Sequence, residues 1–182
     1  MKKLSMEELN RLSVEEFKET PKSPLVLVLD NVRSLNNVGS AFRTSDAFLV
    51  QKICLCGITG TPPHREIQKT ALGATESVDW EYFSTTLDAI AKLREEGYII
   101  CSLEQVDKSI FLHNFQPRKD AKYALVFGNE VFGVEEEVVK ASDYVLEIPQ
   151  LGTKHSLNIS VTMGIVIWDF VGKMGLLTVE KT

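Results

Sequence analysis

Apolar residues in this chain cluster into short runs instead of alternating with polar ones. Leu25-Val26-Leu27-Val28-Leu29 is uninterrupted, and similar runs follow at Ile53 to Cys56, Tyr98 to Leu103, Tyr123 to Phe127 and Tyr144 to Ile148. A strand with one wet face alternates, so runs of this kind predict strands covered on both faces, as in a parallel sheet. Ser77 to Phe83 is a weaker strand candidate. Between the runs lie helical patterns: Val38, Phe42, Ser45 and Leu49 at near-helical spacing, Leu87 to Glu96 closed by Gly97, and Val134 to Ala141. Strands alternating with helices predict an open α/β sheet with helices on both faces.

The pattern changes at both ends. Roughly Ile159 to Val171 is apolar nearly all round, which predicts a helix buried against the sheet or in a subunit interface. Residues 1 to 22 form a polar leader with two capping-box patterns, Ser5 with Glu8 and Ser13 with Glu16, followed by apolar Leu9, Leu12 and Phe17. Short helices are expected there, ended by Pro21 and Pro24, with one main domain over 23 to 182. There is no internal repeat or low-complexity tract.

Composition narrows the class. In 182 residues, 44% hydrophobic content supplies one sizeable core, and 20 Lys+Arg against 25 Asp+Glu leave a net charge of -5. Collagenous, disulfide-stapled and disordered chains are excluded. The net charge argues against a general nucleic-acid binder, but it is unevenly spread: residues 1 to 70 hold 10 basic and 8 acidic side chains, residues 71 to 182 hold 10 and 17. A polyanion is therefore expected to meet the first part of the chain. Cys54, Cys56 and Cys101 sit in apolar runs, and with three scattered histidines they give no metal-ligand spacing, so buried reduced thiols and no metal are expected. Met1-Lys2-Lys3 has no apolar run behind it, and the uncharged stretch from His155 to Trp168 is too short and too polar to cross a bilayer; a cytoplasmic protein is expected.

Ligands of an open α/β sheet bind where loops leave the C-terminal ends of the strands, and three of these loops are unusual. The first runs from Asp30-Asn31-Val32-Arg33 to Asn36-Asn37-Val38-Gly39-Ser40-Ala41-Phe42-Arg43-Thr44. Asn36 or Asn37 is a natural N-cap, and the following helix would offer free N–H groups beside Arg33, with Arg43 expected near the same end; this is either a phosphate cradle or an ordinary capped helix. In Gly128-Asn129-Glu130-Val131-Phe132-Gly133, two glycines flank an acidic residue, which allows close backbone approach to a ligand, although a tight turn would look the same. The third, Ile148-Pro149 through Ser156-Leu157-Asn158-Ile159-Ser160, places Ser156 and Asn158 just before the apolar last helix, where N-capping is the expected role of Ser156. No GxGxxG, Walker A or GxSxG pattern is present, which removes support for a Rossmann dinucleotide site, a P-loop and a nucleophile elbow.

Taken together, these loops resemble the three signature motifs of the SpoU (TrmH-like) family of RNA 2′-O-ribose methyltransferases in the SPOUT superfamily. The resemblance runs from about Pro24 to about Phe170. It implies a parallel sheet whose C-terminal part forms a deep trefoil knot, with S-adenosylmethionine held there by backbone groups around Leu103, Gly128, Ile148 and Leu157. It further implies that Arg43 sits at the reacting ribose, with Asn37, Glu130, Ser156 and Asn158 organising it, and that the active site is completed across a homodimer. Arg33, Arg43 and Lys154 would contact the RNA, tRNA or rRNA. Many members carry a Tyr-Glu pair where this chain reads Ile167-Trp168-Asp169-Phe170. The other readings are an RNA-binding protein of this fold without catalysis, against which the intact motif residues speak, and a base methyltransferase.

Overall fold

The structure, a computed structural model, describes residues 2–5, 7–9 and 11–177. Seven strands form one sheet: β1 (Ser23–Asp30), β2 (Val50–Cys56), β3 (Trp80–Phe83), β4 (Tyr98–Leu103), β5 (Ile110–Phe111), β6 (Lys122–Phe127) and β7 (Tyr144–Glu147). Their order is β3-β2-β1-β6-β4-β7-β5, and every recorded pairing is parallel. Strand β6 thus enters between β1 and β4, and β7 between β4 and β5. The uninterrupted apolar runs have the cause expected of them: Leu25 to Leu29 have no solvent exposure, with Leu27 between Ile53 of β2 and Leu125 of β6.

Two cores flank the sheet. On one face Leu25, Leu27 and Leu29 meet α2 (Leu35–Ala47), α3 (Arg65–Ala71) and α7 (Ile159–Lys173), through Phe42, Ile67 and Phe170 among others. On the other, Val26 and Val28 meet α5 (Thr86–Glu95) and α6 (Glu136–Lys140) through Ile90, Leu93 and Val138. Helices therefore cover both faces. Cys54, Cys56 and Cys101 are free and buried; burial pushes the Cys54 thiol up to about 12 and the other two higher.

In the leader, α1 (Val14–Glu19) begins with a complete capping box between Ser13 and Glu16, and Phe17 enters the first core, while Leu9 and Leu12 stay exposed. Ser5 and Glu8 exchange the same pair of bonds around a 3-10 turn at Glu7–Leu9. Met1, Met6 and Asn10 of the leader, and residues 178 to 182 of the expected main domain, lie outside the described residues.

Several boundaries move for identifiable reasons. The strand expected from Ser77 begins at Trp80, because Ala74–Ser77 forms a helical turn, α4. Helix α6 starts at Glu136, not Val134, because the N–H groups of Val134 and Glu135 go to the carboxylates of Glu104 and Asp30. Leu49 lies beyond α2 with a φ of 53°, and β7 stops at Glu147, one residue before Ile148. Helix α7 buries Met163, Val166, Ile167, Phe170 and Val171, yet leaves Val161, Ile165 and Trp168 exposed, so its all-round apolarity is only half explained by its own sheet.

Candidate active site

Helix α2 is capped by Ser34, whose side-chain oxygen accepts from the Asn37 N–H at 3.3 Å; neither Asn36 nor Asn37 is the cap. That correction frees Asn37 for another task. Its side chain, 8% exposed, donates through Nδ2 to Glu130 at 2.9 Å. The Glu130 carboxylate also accepts from the N–H groups of Arg33 and Ser34, each at 2.9 Å. Burial pushes the Glu130 carboxyl up, but the donors from Arg33, Asn37 and Ser34 together outweigh it and hold it below its ordinary value. The N–H groups of Arg33 and Ser34, which lead into α2, are thus occupied by a carboxylate from the neighbouring loop.

Asn158, not Ser156, caps α7: its Oδ1 accepts from the Ser160 N–H at 2.8 Å. Its Nδ2 faces Asn37 Oδ1 at 3.5 Å, the limit of a hydrogen bond. One residue from each loop therefore stands in a line, Glu130 to Asn37 to Asn158.

The loop after β6 is shaped by sterics within the chain. A Cβ on Gly128 would lie 2.1 Å from the backbone of Gly133 and Val134, so the space that Gly128 leaves free is filled by its own loop and not reserved for a ligand. Gly133 has a φ of +71° and passes against Glu104. Antiparallel bonds of 2.9 Å in each direction between Asn129 and Gly133 close the turn, and Asn129 Oδ1 accepts from the N–H groups of Val131 and Phe132. Gly39 is constrained in the same way: a Cβ there would meet Thr70 Oγ1 at 2.1 Å and the Ile67 carbonyl at 2.3 Å, so α2 and α3 pack closely only because it is glycine.

The loops after β4, β6 and β7 surround a cavity of about 570 Å³ at the C-terminal ends of those strands, and no residue of the first loop lines it. Leu103, Gly128, Glu130, Ile148, Ser156, Leu157 and Asn158 all line it. Its walls combine apolar Leu103, Phe127, Leu146, Ile148 and Leu157 with the carboxylates of Glu104, Glu130 and Glu147 and the imidazole of His155, and no Lys or Arg among the described residues lines it. Such a cavity suits a ring system attached to a positively charged centre and disfavours a polyphosphate. No group of three or more His, Cys, Asp and Glu among the described residues could hold a metal ion, and no helix there is long and apolar enough to cross a membrane.

Asn37 and three expected basic residues stand outside the cavity wall. Arg43 is the ninth residue of the thirteen in α2, exposed and two turns from the cap, not at the anion-attracting end. Arg33 and Lys154 are exposed as well, and none of the three has an ion-pair partner among the described residues.

Asp30 was missed. Fully buried at the end of β1, its carboxylate accepts from Thr86 Oγ1 at 2.5 Å, Asn31 Nδ2 at 3.0 Å and the Glu135 N–H at 2.8 Å. Asn31, with a φ of 55°, in turn accepts from the Ile58 N–H, and its carbonyl accepts from Asn129. An Asp-Asn pair at a strand end is the visible signal for such a loop organiser.

A parallel α/β sheet carrying an acidic and apolar cavity at its C-terminal strand ends is a class of small-molecule site found in many enzymes. The family is narrower: residues 24–168 match the model of the SpoU rRNA Methylase family, and the chain belongs to it. An "uncharacterized tRNA/rRNA methyltransferase" of Borreliella burgdorferi is 27% identical over 164 residues, 90% of this chain and 70% of that protein. The 23S rRNA (guanosine-2′-O-)-methyltransferase RlmB of Vibrio vulnificus is 27% identical over 165 residues, 90% of this chain and 65% of RlmB. The crystal structure of an AdoMet-bound rRNA methyltransferase from Sinorhizobium meliloti superposes with a TM-score of 0.77 at 25% identity, covering 86% of this chain and 59% of that one. The chain thus spans less than two thirds of the RlmB relative.

Proposed function

We propose that this chain is an S-adenosylmethionine-dependent RNA methyltransferase that modifies a ribose 2′-hydroxyl of tRNA or rRNA. The observation that carries this reading is the cavity between the loops that follow β4, β6 and β7, with three carboxylates and, among the described residues, no Lys or Arg, in a member of the SpoU family. S-Adenosylmethionine matches its chemistry: apolar walls at Leu103, Ile148 and Leu157 for the adenine, and an acidic surround for the sulfonium and ammonium charges. Bound there, the cofactor would supply an electrophilic methyl group to the ribose 2′-oxygen and leave as the neutral thioether, with the hydroxyl proton going to water or a phosphate oxygen.

Catalysis of such a transfer is chiefly positioning and electrostatics. Glu130, held by Arg33, Ser34 and Asn37, fixes the loop after β6 against α2. Asn37 and Asn158 face the space between, where Ser156 adds an exposed hydroxyl. Arg43 is a guanidinium, always protonated, so its role is to gather the phosphate beside the ribose and stabilise the developing alkoxide, not to act as base. Its absence from the cavity wall of its own chain fits a site completed by two copies, and the exposed stripe Val161, Ile165 and Trp168 of α7 supports a homodimer. The late insertion of β6 and β7 between strands already laid down is the topology a C-terminal trefoil knot would need. A tRNA or rRNA substrate would be consistent with a cytoplasmic protein.

The test is calorimetric titration with S-adenosylmethionine, followed by transfer of labelled methyl groups to RNA from cells lacking the gene. The expected product resists alkaline cleavage at one linkage, because a methylated 2′-oxygen cannot attack its phosphate. Folded protein giving no heat of binding at high micromolar cofactor would refute the reading, and an alkali-labile product would refute the ribose assignment.

A further inference from the structure

Phe132 lies on the wall of the cavity, yet 83% of its surface is exposed to water. A phenylalanine left in solvent forgoes one of the larger gains available on folding, so its orientation calls for an explanation. The turn that carries it is closed by hydrogen bonds at both ends and at the Val131 and Phe132 N–H groups. Asn129 and Gly133 bond to each other in both directions, Asn129 Oδ1 takes the Phe132 N–H at 3.2 Å, and Asn129 Nδ2 ties the turn to the Asn31 carbonyl at 2.8 Å. Two residues earlier, Glu130 locks the same turn to α2. The backbone that presents the ring at the cavity wall is therefore fixed, beside the residues that face the proposed reacting ribose.

We propose that Phe132 is a stacking platform for an unpaired nucleobase of the substrate RNA, at or next to the nucleotide whose ribose enters the site. This rests on the methyltransferase reading above. An unpaired base presents a flat π-face, and proteins that recognise single-stranded RNA stack such bases on exposed aromatic rings. Stacking needs no base-edge partner, so Phe132 would hold the nucleotide in place and leave base identity to other contacts. Exposed Arg33, whose N–H is fixed by Glu130, stands within the same loop system as a cation for the adjoining phosphate.

The experiment measures methyl transfer to RNA from cells lacking the gene, using wild type and the Phe132→Ala, Phe132→Leu, Phe132→Tyr and Phe132→Trp variants, with cofactor affinity by calorimetry and mass by light scattering. Phe132→Ala and Phe132→Leu are expected to raise the RNA concentration for half-maximal rate about tenfold, with the saturating rate within about threefold, whereas Tyr and Trp restore it to within about twofold. Cofactor affinity and mass stay unchanged throughout. A Leu variant equal to wild type overturns the proposal, because leucine keeps the bulk and loses the π-face. Loss of cofactor affinity in the Ala variant would assign the ring to the adenine, and a changed mass would assign it to a second copy; either overturns the proposal. The two readings are separable with a single-stranded RNA containing 2-aminopurine, whose fluorescence falls on stacking. Quenching by wild type and not by Phe132→Ala supports the platform even if no methyl transfer is found, and equal quenching by both overturns it while leaving the methyltransferase reading intact.

Discussion

Asn37 donates its side-chain amide to Glu130 across 2.9 Å, joining the first turn of α2 to a loop 93 residues further along the chain. Because Glu130 also accepts from Arg33 and Ser34, one carboxylate terminates three donors of another loop and fixes the relative placement of two motifs. In Glu130→Gln one side-chain oxygen becomes an NH₂ that cannot accept. A loss of about 1–2 kcal/mol is expected, since hydrogen bonds to a charged acceptor are worth about 1.5–3 and this group is partly solvated.

The same relationship sets a pH dependence. Glu130 titrates below the ordinary 4.5 in the folded state, so around that pH the folded chain binds fewer protons than the unfolded one. Its contribution is complete above the unfolded value and is lost as pH falls through the folded one. Wild type is therefore expected to exceed Glu130→Gln by a constant margin from about pH 6 to 8 and by a shrinking one below about pH 4.5. Urea midpoints of both proteins across that range check this; a margin that widens on acidification contradicts it.

The strands were legible because burial on both faces writes itself as runs of apolar residues, and Leu25 to Leu29 announced β1 with no help from tertiary context. Helix α3 was not, since only Ile67 and Ala71 of its seven residues are buried, and the two-residue β5 carries too little pattern to see. At the site, residue types at strand ends pointed to the right loops. Which side chain bonds which did not follow: Ser34 and Asn158 took the caps expected of Asn36 or Asn37 and of Ser156, and the partners of buried Asp30 come from sequence positions 31, 86 and 135. Pairings over such separations depend on strand order, which hydrophobic periodicity does not encode.

Two glycines near the cavity give opposite expectations. Gly128→Ala forces a Cβ to 2.1 Å from backbone that has no side chain to swing aside, so the turn carrying Glu130 and Phe132 must shift. A stability loss of about 1–3 kcal/mol and at least tenfold weaker cofactor binding are expected. Gly152→Ala meets nothing within 4 Å and should bind cofactor within about twofold of wild type. Calorimetry on both variants decides the matter, and equal affinities would mean that the Gly128 turn does not shape the cofactor site.

The exposed stripe on α7 is tested at its centre. Val161, Ile165 and Trp168 fall on one side of the helix, with the Trp168 ring edge-on to Phe48 at 6.0 Å and 58% exposed. If a second copy covers this face by two-fold pairing, each substitution acts twice in the interface. Ile165→Glu is expected to convert a dimer into a species of 20.4 kDa with its fold intact. Light scattering that shows a 20.4 kDa wild type, or an unshifted variant, removes α7 from the interface.

Arg43 separates chemistry from binding. It is exposed on α2, outside the cavity wall and without an ion-pair partner among the described residues, so removing it costs the fold nothing that can be identified. Arg43→Ala should therefore melt within about 1 °C of wild type, as surface substitutions usually do, and bind cofactor equally well. If the guanidinium stabilises charge developing on the ribose oxygen, the saturating rate of methyl transfer falls about 10²–10³-fold, the usual cost of deleting one preorganised transition-state contact. Arg43→Lys would recover little, because a point charge does not reproduce the planar fork on phosphate. Should the alanine variant lose RNA affinity alone, with its saturating rate preserved, Arg43 is a docking cation; near-normal turnover and near-normal affinity together would remove it from the site altogether.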